Sequence, residues 1–321
     1  MILQITLLIL GFVVLIKGAD WLVDGGSALA RKFNVPELAI GLTIIAFGTS
    51  MPEMVVNVFA AAEGKSDIVY GNIIGSNIVN LFAILGIAGL ITPLVVGSST
   101  IWKEIPISLF AIILLLILSN AIGGASSGLS FFDGLVLLLG FVAFLYYVFK
   151  QLKSDPTAAS ATTEAIPKAN FKNSKIALFI ILGLVFLVVG GKLVVDSATG
   201  IASSLGVSQT LIALTIVAIG TSLPELATSV VAALKKNNDI AVGNVIGSNI
   251  FNIFFILGTS AVIRPISFNP KFNFDMYFVA IGTLVLFVAM FTGKQKKLDR
   301  WEAGILLSLY IGYTVYLVLN V

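Results

Sequence analysis

No cysteine and no histidine occur among the 321 residues. The first absence excludes disulfides, thiol chemistry and thiolate metal sites; the second removes Cys/His zinc sites and every acid–base or nucleophilic scheme built on an imidazole. Charge is scarce too: Asp, Glu, Lys and Arg make up 11% of the chain, against 58% hydrophobic residues and a mean hydropathy of +1.06. A water-soluble domain has no use for so much apolar surface, so the bilayer is the expected solvent. The net charge of +3 is carried by loops between apolar runs and does not point to nucleic acid.

Runs long enough to cross the hydrocarbon core fall at about 3–26, 37–61, 69–92, 105–122 and 131–149, then at about 175–200, 209–233, 240–263, 274–292 and 301–319. The N-terminal run lacks the positive n-region and small-residue cleavage site of a signal peptide and is expected to stay as the first helix. With the N-terminus outside, fourteen Lys and Arg fall in inner loops and three, Lys65, Arg264 and Lys271, in outer ones. That bias places both termini outside and the central linker in the cytoplasm. The linker, 151–174, is rich in Ser, Thr, Ala, Pro and Lys, cannot build a core, and joins an N-terminal unit, 1–150, to a C-terminal unit, 175–321.

Shifting the sequence by 172 positions lays residues 41–86 over 213–258, and 26 of the 46 positions are identical without a gap. The offset also pairs Gly11 with Gly183, Gly18 with Gly190 and Asp24 with Asp196. Five spans per half is an odd number, so the second copy must enter the membrane upside down. The fold class expected is an all-α polytopic membrane protein, ten transmembrane helices in two inverted-topology five-helix repeats, the pattern of a secondary transporter.

The repeated stretch keeps polar residues inside apolar surroundings. In the second span Thr49, Ser50, Pro52 and Glu53 interrupt the helix, as Thr221, Ser222, Pro224 and Glu225 do in the seventh. Pro52 offers no N–H to the Gly48 carbonyl, so the helix is expected to break there and free carbonyls near Ala46 to Gly48 and, in the second copy, at Ala218. Such carbonyls suit a hard cation. The third span adds Asn72, Ser76 and Asn80 at i, i+4, i+8, and the eighth Asn244, Ser248 and Asn252. Together these groups make an oxygen-only cage.

Several of these features have a plainer reading. A membrane proline can be a mere kink, Gly71/Gly75 and Gly243/Gly247 read as packing devices, and Asn72 and Asn244 can equally be interhelical glue. Lys17 with Asp20, and Lys192 with Asp196, are spaced to neutralise each other on their helices. Asp24 and Asp196 read as structural or as part of an access path. Glu53 and Glu225 differ, because an intramembrane carboxylate is costly and this one is written twice in the same setting.

GTSMPE with GNIIGSNIVN, and GTSLPE with GNVIGSNIFN, resemble the two α-repeats of the calcium/cation antiporter superfamily, most closely its prokaryotic sodium/calcium exchangers. The resemblance implies four cation sites framed by spans two, three, seven and eight, with Glu53 and Glu225 as principal ligands beside Thr49 and Thr221. It further implies that Ser76, Ser248 and the carbonyls of Ala46 and Ala218 complete outlying Na⁺ sites, with Asn80 and Asn252 flanking the centre. Ser50 and Ser222, within the same motif, join the candidate set. Spans one and six, long and oblique in the family, would slide across this core. Some members carry Asp where this chain has Asn80 or Asn252; its absence leaves two core carboxylates and speaks against K⁺ co-transport and against a proton step at that position.

The function expected is electrogenic Na⁺/Ca²⁺ exchange across the cell membrane by alternating access, with no cofactor and no enzymatic activity. Two ionised Glu neutralise one Ca²⁺, whereas three Na⁺ leave the site at +1. A Ca²⁺/H⁺ antiporter is the alternative, then a cation channel; an intramembrane enzyme lacks a nucleophile. The partners are the lipid bilayer and the two ions, and a monomer is the expected unit.

Overall fold

A chain that crosses hydrocarbon must satisfy its backbone polar groups within the protein, which leaves helices as the natural crossing elements. Helices dominate the computed structural model, which describes residues 2–120, 127–154, 172–206, 218–293 and 296–319. Among the described residues, eight unbroken helices of 18 to 32 residues are apolar enough to span a membrane. They are Ile2–Phe33, Ser66–Ile91, Thr100–Ser119, Phe131–Ser154, Asn173–Ser204, Asn238–Ile263, Phe272–Ala289 and Arg300–Leu319. A ninth crossing is the bent pair Glu37–Thr49 and Met51–Ala62. The tenth, in the seventh position, is described from Ala218, through Ala218–Gly220 and Leu223–Leu234. The rest of the run expected there, 209–217, and most of the linker expected at 151–174 lie outside the described residues.

The first and sixth spans outrun their expected ends at 26 and 200. Each has 32 residues, a length of about 48 Å at the helical rise, well beyond a core of about 30 Å. Helices of that length cross at a tilt. They pack on each other through glycines. A Cβ added at Gly18 would stand 2.8 Å from the Gly183 carbonyl, and one at Gly190 would stand 2.5 Å from the Leu15 amide nitrogen. Backbone therefore lies on backbone along this pair. By contrast the third and eighth spans, Ser66–Ile91 and Asn238–Ile263, form the buried centre, 83% and 94% buried over their most apolar windows.

Four two-residue strands make the inversion visible. β1 (Leu94–Val95) pairs antiparallel with β4 (Lys297–Leu298), and β2 (Gly128–Leu129) with β3 (Ile266–Ser267). Six crossings separate β1 from β4 and four separate β2 from β3, so each pair joins loops on one side of the bundle. A single crossing separates β1 from β2, which puts the two sheets at opposite ends. The 172-residue offset maps β1 onto β3, from one end to the other, as two copies inserted in opposite orientations require. Gly128 is needed for this contact: its φ is +138°, and a Cβ would stand 2.4 Å from the Ile266 carbonyl. The fold is thus the all-α bundle of two inverted five-helix halves.

Gly190→Ala should force the first and sixth spans apart, at about 1–3 kcal/mol for overpacking. Gly312→Ala is the control, since its Cβ would meet nothing within 4 Å. Thermal unfolding in detergent should show a clear drop for the first variant and none for the second; equal midpoints would refute the close packing.

Candidate functional site

The second span breaks at Ser50, whose φ and ψ of −84° and 9° leave the helical region. The break comes before Pro52, which sits in the first turn of the following helix, where its missing N–H breaks no bond. Ser222 repeats the geometry at −88° and 6°. Each break creates a new helix N-terminus, and Glu53 and Glu225 lie in the first turns of the helices that follow. The exposed peptide dipoles there favour negative charge.

The expectation of a free Ala46 carbonyl needs correction. It accepts the Ser50 N–H at 3.0 Å, because the chain stays helical for one residue longer than the proline rule suggests. In the second half the Ser222 N–H donates to the Ile219 carbonyl at 3.1 Å, and Ala218 lies at the edge of the described segment.

Glu53 and Glu225 are each 1% exposed. The Ser50 hydroxyl donates to Glu225 Oε1 at 2.7 Å, and that of Ser222 to Glu53 Oε1 at 3.3 Å. Ser76 lies 3.4 Å from Glu53 Oε1, and Ser248 lies 3.5 Å from Glu225 Oε1. Each carboxylate therefore meets one hydroxyl from its own half and one from the other. Thr49 and Thr221 also reach across: their hydroxyls lie 3.1 Å from Asn244 Oδ1 and 3.5 Å from Asn72 Oδ1. Asn72 and Asn244 then donate to the main-chain carbonyls of Glu53 and Glu225, at 3.4 and 3.3 Å. Of the two readings open for these asparagines, the bonds show the bridging one.

Asn80 and Asn252 sit where the third and eighth spans widen into π-helical turns, Val79–Ile84 and Phe251–Leu257, a local distortion frequent at functional sites. Neither bonds a glutamate. Asn80 Nδ2 donates to Asn249 Oδ1 at 3.1 Å, and Asn252 Nδ2 to Asn77 Oδ1 at 2.9 Å. Asn77 and Asn249, which sequence reasoning passed over, thus form a belt between the halves. A signal was present, since both lie in the GSN triplet repeated at the 172 offset. Asn57 and Ser229 form a further matched pair, accepting from Asn72 Nδ2 at 2.6 Å and from Asn244 Nδ2 at 3.0 Å.

Four buried acceptor oxygens at this centre have no hydrogen-bond partner among the described residues: Glu53 Oε2, Glu225 Oε2, Asn80 Oδ1 and Asn252 Oδ1. They are two pairs related by the offset. Among the described residues no Lys or Arg pairs with either glutamate. Two carboxylates in a membrane core with donors for only one oxygen each call for a cation or a proton. Hard oxygens, with no sulfur or imidazole, suit Na⁺ and Ca²⁺.

An inverted-repeat bundle whose broken helices bring polar groups to its centre is the architecture of a secondary transporter. The chain belongs to the sodium/calcium exchanger protein family, whose model matches residues 3–150 and 175–319. It is 39% identical to CaxA of Alkalimonas amylolytica over 311 residues, 95% of each chain. It is 32% identical to the sodium/calcium exchanger MaX1 of Methanosarcina acetivorans over 343 aligned positions, 97% of each. Its fold matches the sodium-calcium exchanger NCX_Mj, solved after soaking with zero Na⁺ and Ca²⁺, at a TM-score of 0.82 and 32% identity, covering 98% of this chain and 99% of that one. The protein is accordingly a multi-pass membrane cation antiporter and not an enzyme; the family's cargo is Na⁺ and Ca²⁺, and it needs no cofactor.

Asn249→Ala and Asn77→Ala each orphan a buried amide of the other half, at about 1–3 kcal/mol. Both should lower the unfolding midpoint in detergent, whereas Asn120→Ala, in an exposed Asn120–Asn273 contact, should not. Midpoints unchanged in both belt variants would remove the belt from the account of how the halves are held.

Proposed function

We propose that the chain exchanges Na⁺ for Ca²⁺ across the cell membrane, electrogenically, by exposing one central site alternately to either side. The observation that carries this reading is the cross-donation at the glutamates: each carboxylate has one oxygen held by hydroxyls of both halves and the other turned to no donor. Glu53 and Glu225 are the principal ligands, with the free oxygens of Asn80 and Asn252 beside them. Thr49, Thr221, Ser76 and Ser248 complete the coordination sphere, Ser50 and Ser222 orient the carboxylates, and the Ala46 and Ala218 carbonyls contribute their remaining lone pairs to outlying Na⁺. Two negative charges balance one Ca²⁺, while three Na⁺ would carry one net charge per cycle. Both termini lie outside and the linker 151–174 in the cytoplasm, as the Lys/Arg bias supports.

Proton coupling would use the same two carboxylates but has no need of the surrounding hydroxyls. Ca²⁺ uptake into proteoliposomes, driven by an outward Na⁺ gradient with pH clamped on both sides, tests the choice. Uptake should follow the Na⁺ gradient and respond to membrane potential; uptake that ignored Na⁺ and followed ΔpH would replace this reading with Ca²⁺/H⁺ exchange. Glu53→Gln and Glu225→Gln should each abolish Ca²⁺ exchange, by at least about a hundredfold for loss of a buried charged ligand at 3–5 kcal/mol, while the protein still folds. Near-native exchange in either variant would refute the assignment.

A further inference from the structure

The two halves are not in the same state, and the difference is marked by charge. At one end of the bundle Lys235, in the turn after Leu223–Leu234, reaches the first span: its Nζ lies 2.6 Å from Asp20 Oδ1 and 2.7 Å from Asp24 Oδ1. Asn237 Nδ2 donates to Ser27 Oγ beside it at 2.7 Å. The 172-residue offset maps Lys235 onto Glu63, Asp20 onto Lys192 and Asp24 onto Asp196. Both members of the Lys235–Asp20 pair thus exchange sign in the other copy. Beside their near neighbours Lys17, on Asp20, and Lys65, on Glu63, the mapped positions give each end one lysine and two carboxylates, so a lysine can bridge at either.

At that other end the equivalent pair is not made. Lys192 bonds Asp196 of its own helix at 2.9 Å, and Glu63 bonds Lys65 at 2.5 Å. Thr199, the counterpart of Ser27, has a buried hydroxyl without a partner among the described residues. Packing agrees with the charges. The first span lies along Leu223–Leu234, whereas the sixth makes no comparable contact with Met51–Ala62. Val56 is accordingly 38% exposed, against 0% for its counterpart Thr228.

We propose that these groups are two alternating ion-pair latches on the glycine-locked pair of spans one and six. Lys235 with Asp20 and Asp24 holds the arrangement seen here; Glu63 with Lys192 closes at the opposite end once the pair has moved. Like the sites they gate, the latches are related by the internal repeat, and their opposite polarity keeps each from binding the partner of the other: Glu63 would be repelled by Asp20, and Lys235 by Lys192. The inference rests on the alternating-access part of the proposed function and is independent of whether Na⁺ or H⁺ is the counter-ion.

The absence of native cysteine allows a direct test on the full chain in proteoliposomes, with a short, reducible bis-thiosulfonate cross-linker. Asp20→Cys with Lys235→Cys, and separately Glu63→Cys with Lys192→Cys, should each cross-link, each link stopping exchange until reduced. In the fourfold variant one molecule should carry one link or the other. Breaking the rival latch should raise the yield of each link: Glu63→Gln in the first background and Lys235→Gln in the second, by about two- to fivefold for half-exposed ion pairs. Both links in one molecule, a 63/192 link that never forms, or yields insensitive to both substitutions would overturn the latches. Cross-linking does not depend on the driving ion, so these outcomes stand apart from the flux test, in which a ΔpH-driven chain would still show two exclusive links.

Discussion

Two carboxylates in the middle of an apolar bundle, with no lysine or arginine among the described residues paired to them, are the constraint on which the rest of the structure depends. Each requires donors, and neither half supplies a full set. Ser50 serves Glu225 and Ser222 serves Glu53, so neither glutamate keeps its environment unless both halves are in register. Close approach of the broken helix to the eighth span follows. A Cβ at Gly247 would lie 2.8 Å from that of Ala46 and 2.9 Å from Leu42 Cα, so glycine there lets Thr49 and Ser50 reach Asn244 and Glu225. The asparagine belt, with bonds from each half to the other, completes the registration.

The helix breaks answer the same demand in another way. Beyond redirecting the chain by 49° in the second span, each break starts a helix at the carboxylate. A helix start brings unpaired N–H groups and the positive end of a peptide dipole array, stabilisation without a formal charge. A lysine in that place would hold the glutamate permanently, and a cation could not then compete for it. Hydroxyls and dipoles moderate the two negative charges without neutralising them.

Much of this was legible in the sequence, because an internal repeat is a comparison the chain makes with itself. The spans, the inversion and the pairing of Glu53 with Glu225 all follow from hydrophobic runs, an odd count and the 172 offset. Local geometry was less legible. The proline rule located the interruption but not the residue that bends, since Ser50 still closes one more helical bond to Ala46 and Pro52 serves the next helix as its first turn. The roles of Asn77 and Asn249 were missed because the i, i+4, i+8 stripe assumes a regular α-helix, and the π-helical turns beginning at Val79 and Phe251 shift the faces. Sequence showed that Lys192–Asp196 and Lys17–Asp20 could pair locally, as they do at 2.9 and 2.8 Å. It did not show Lys235 crossing to Asp20 and Asp24, a contact between residues more than two hundred positions apart.

The small sheets at the two ends have a mechanical consequence. β1 with β4 ties the turn between spans three and four to that between nine and ten; β2 with β3 ties the turn between four and five to that between eight and nine. Spans three, four, five, eight, nine and ten are therefore buckled to one another at the top and bottom of the molecule, like staves held by two hoops. Neither strand pair includes a turn that leads into or out of span one or span six. A load applied to that pair is borne by side chains along its length and by the turn at 235, and the staves that carry the asparagine belt need not deform.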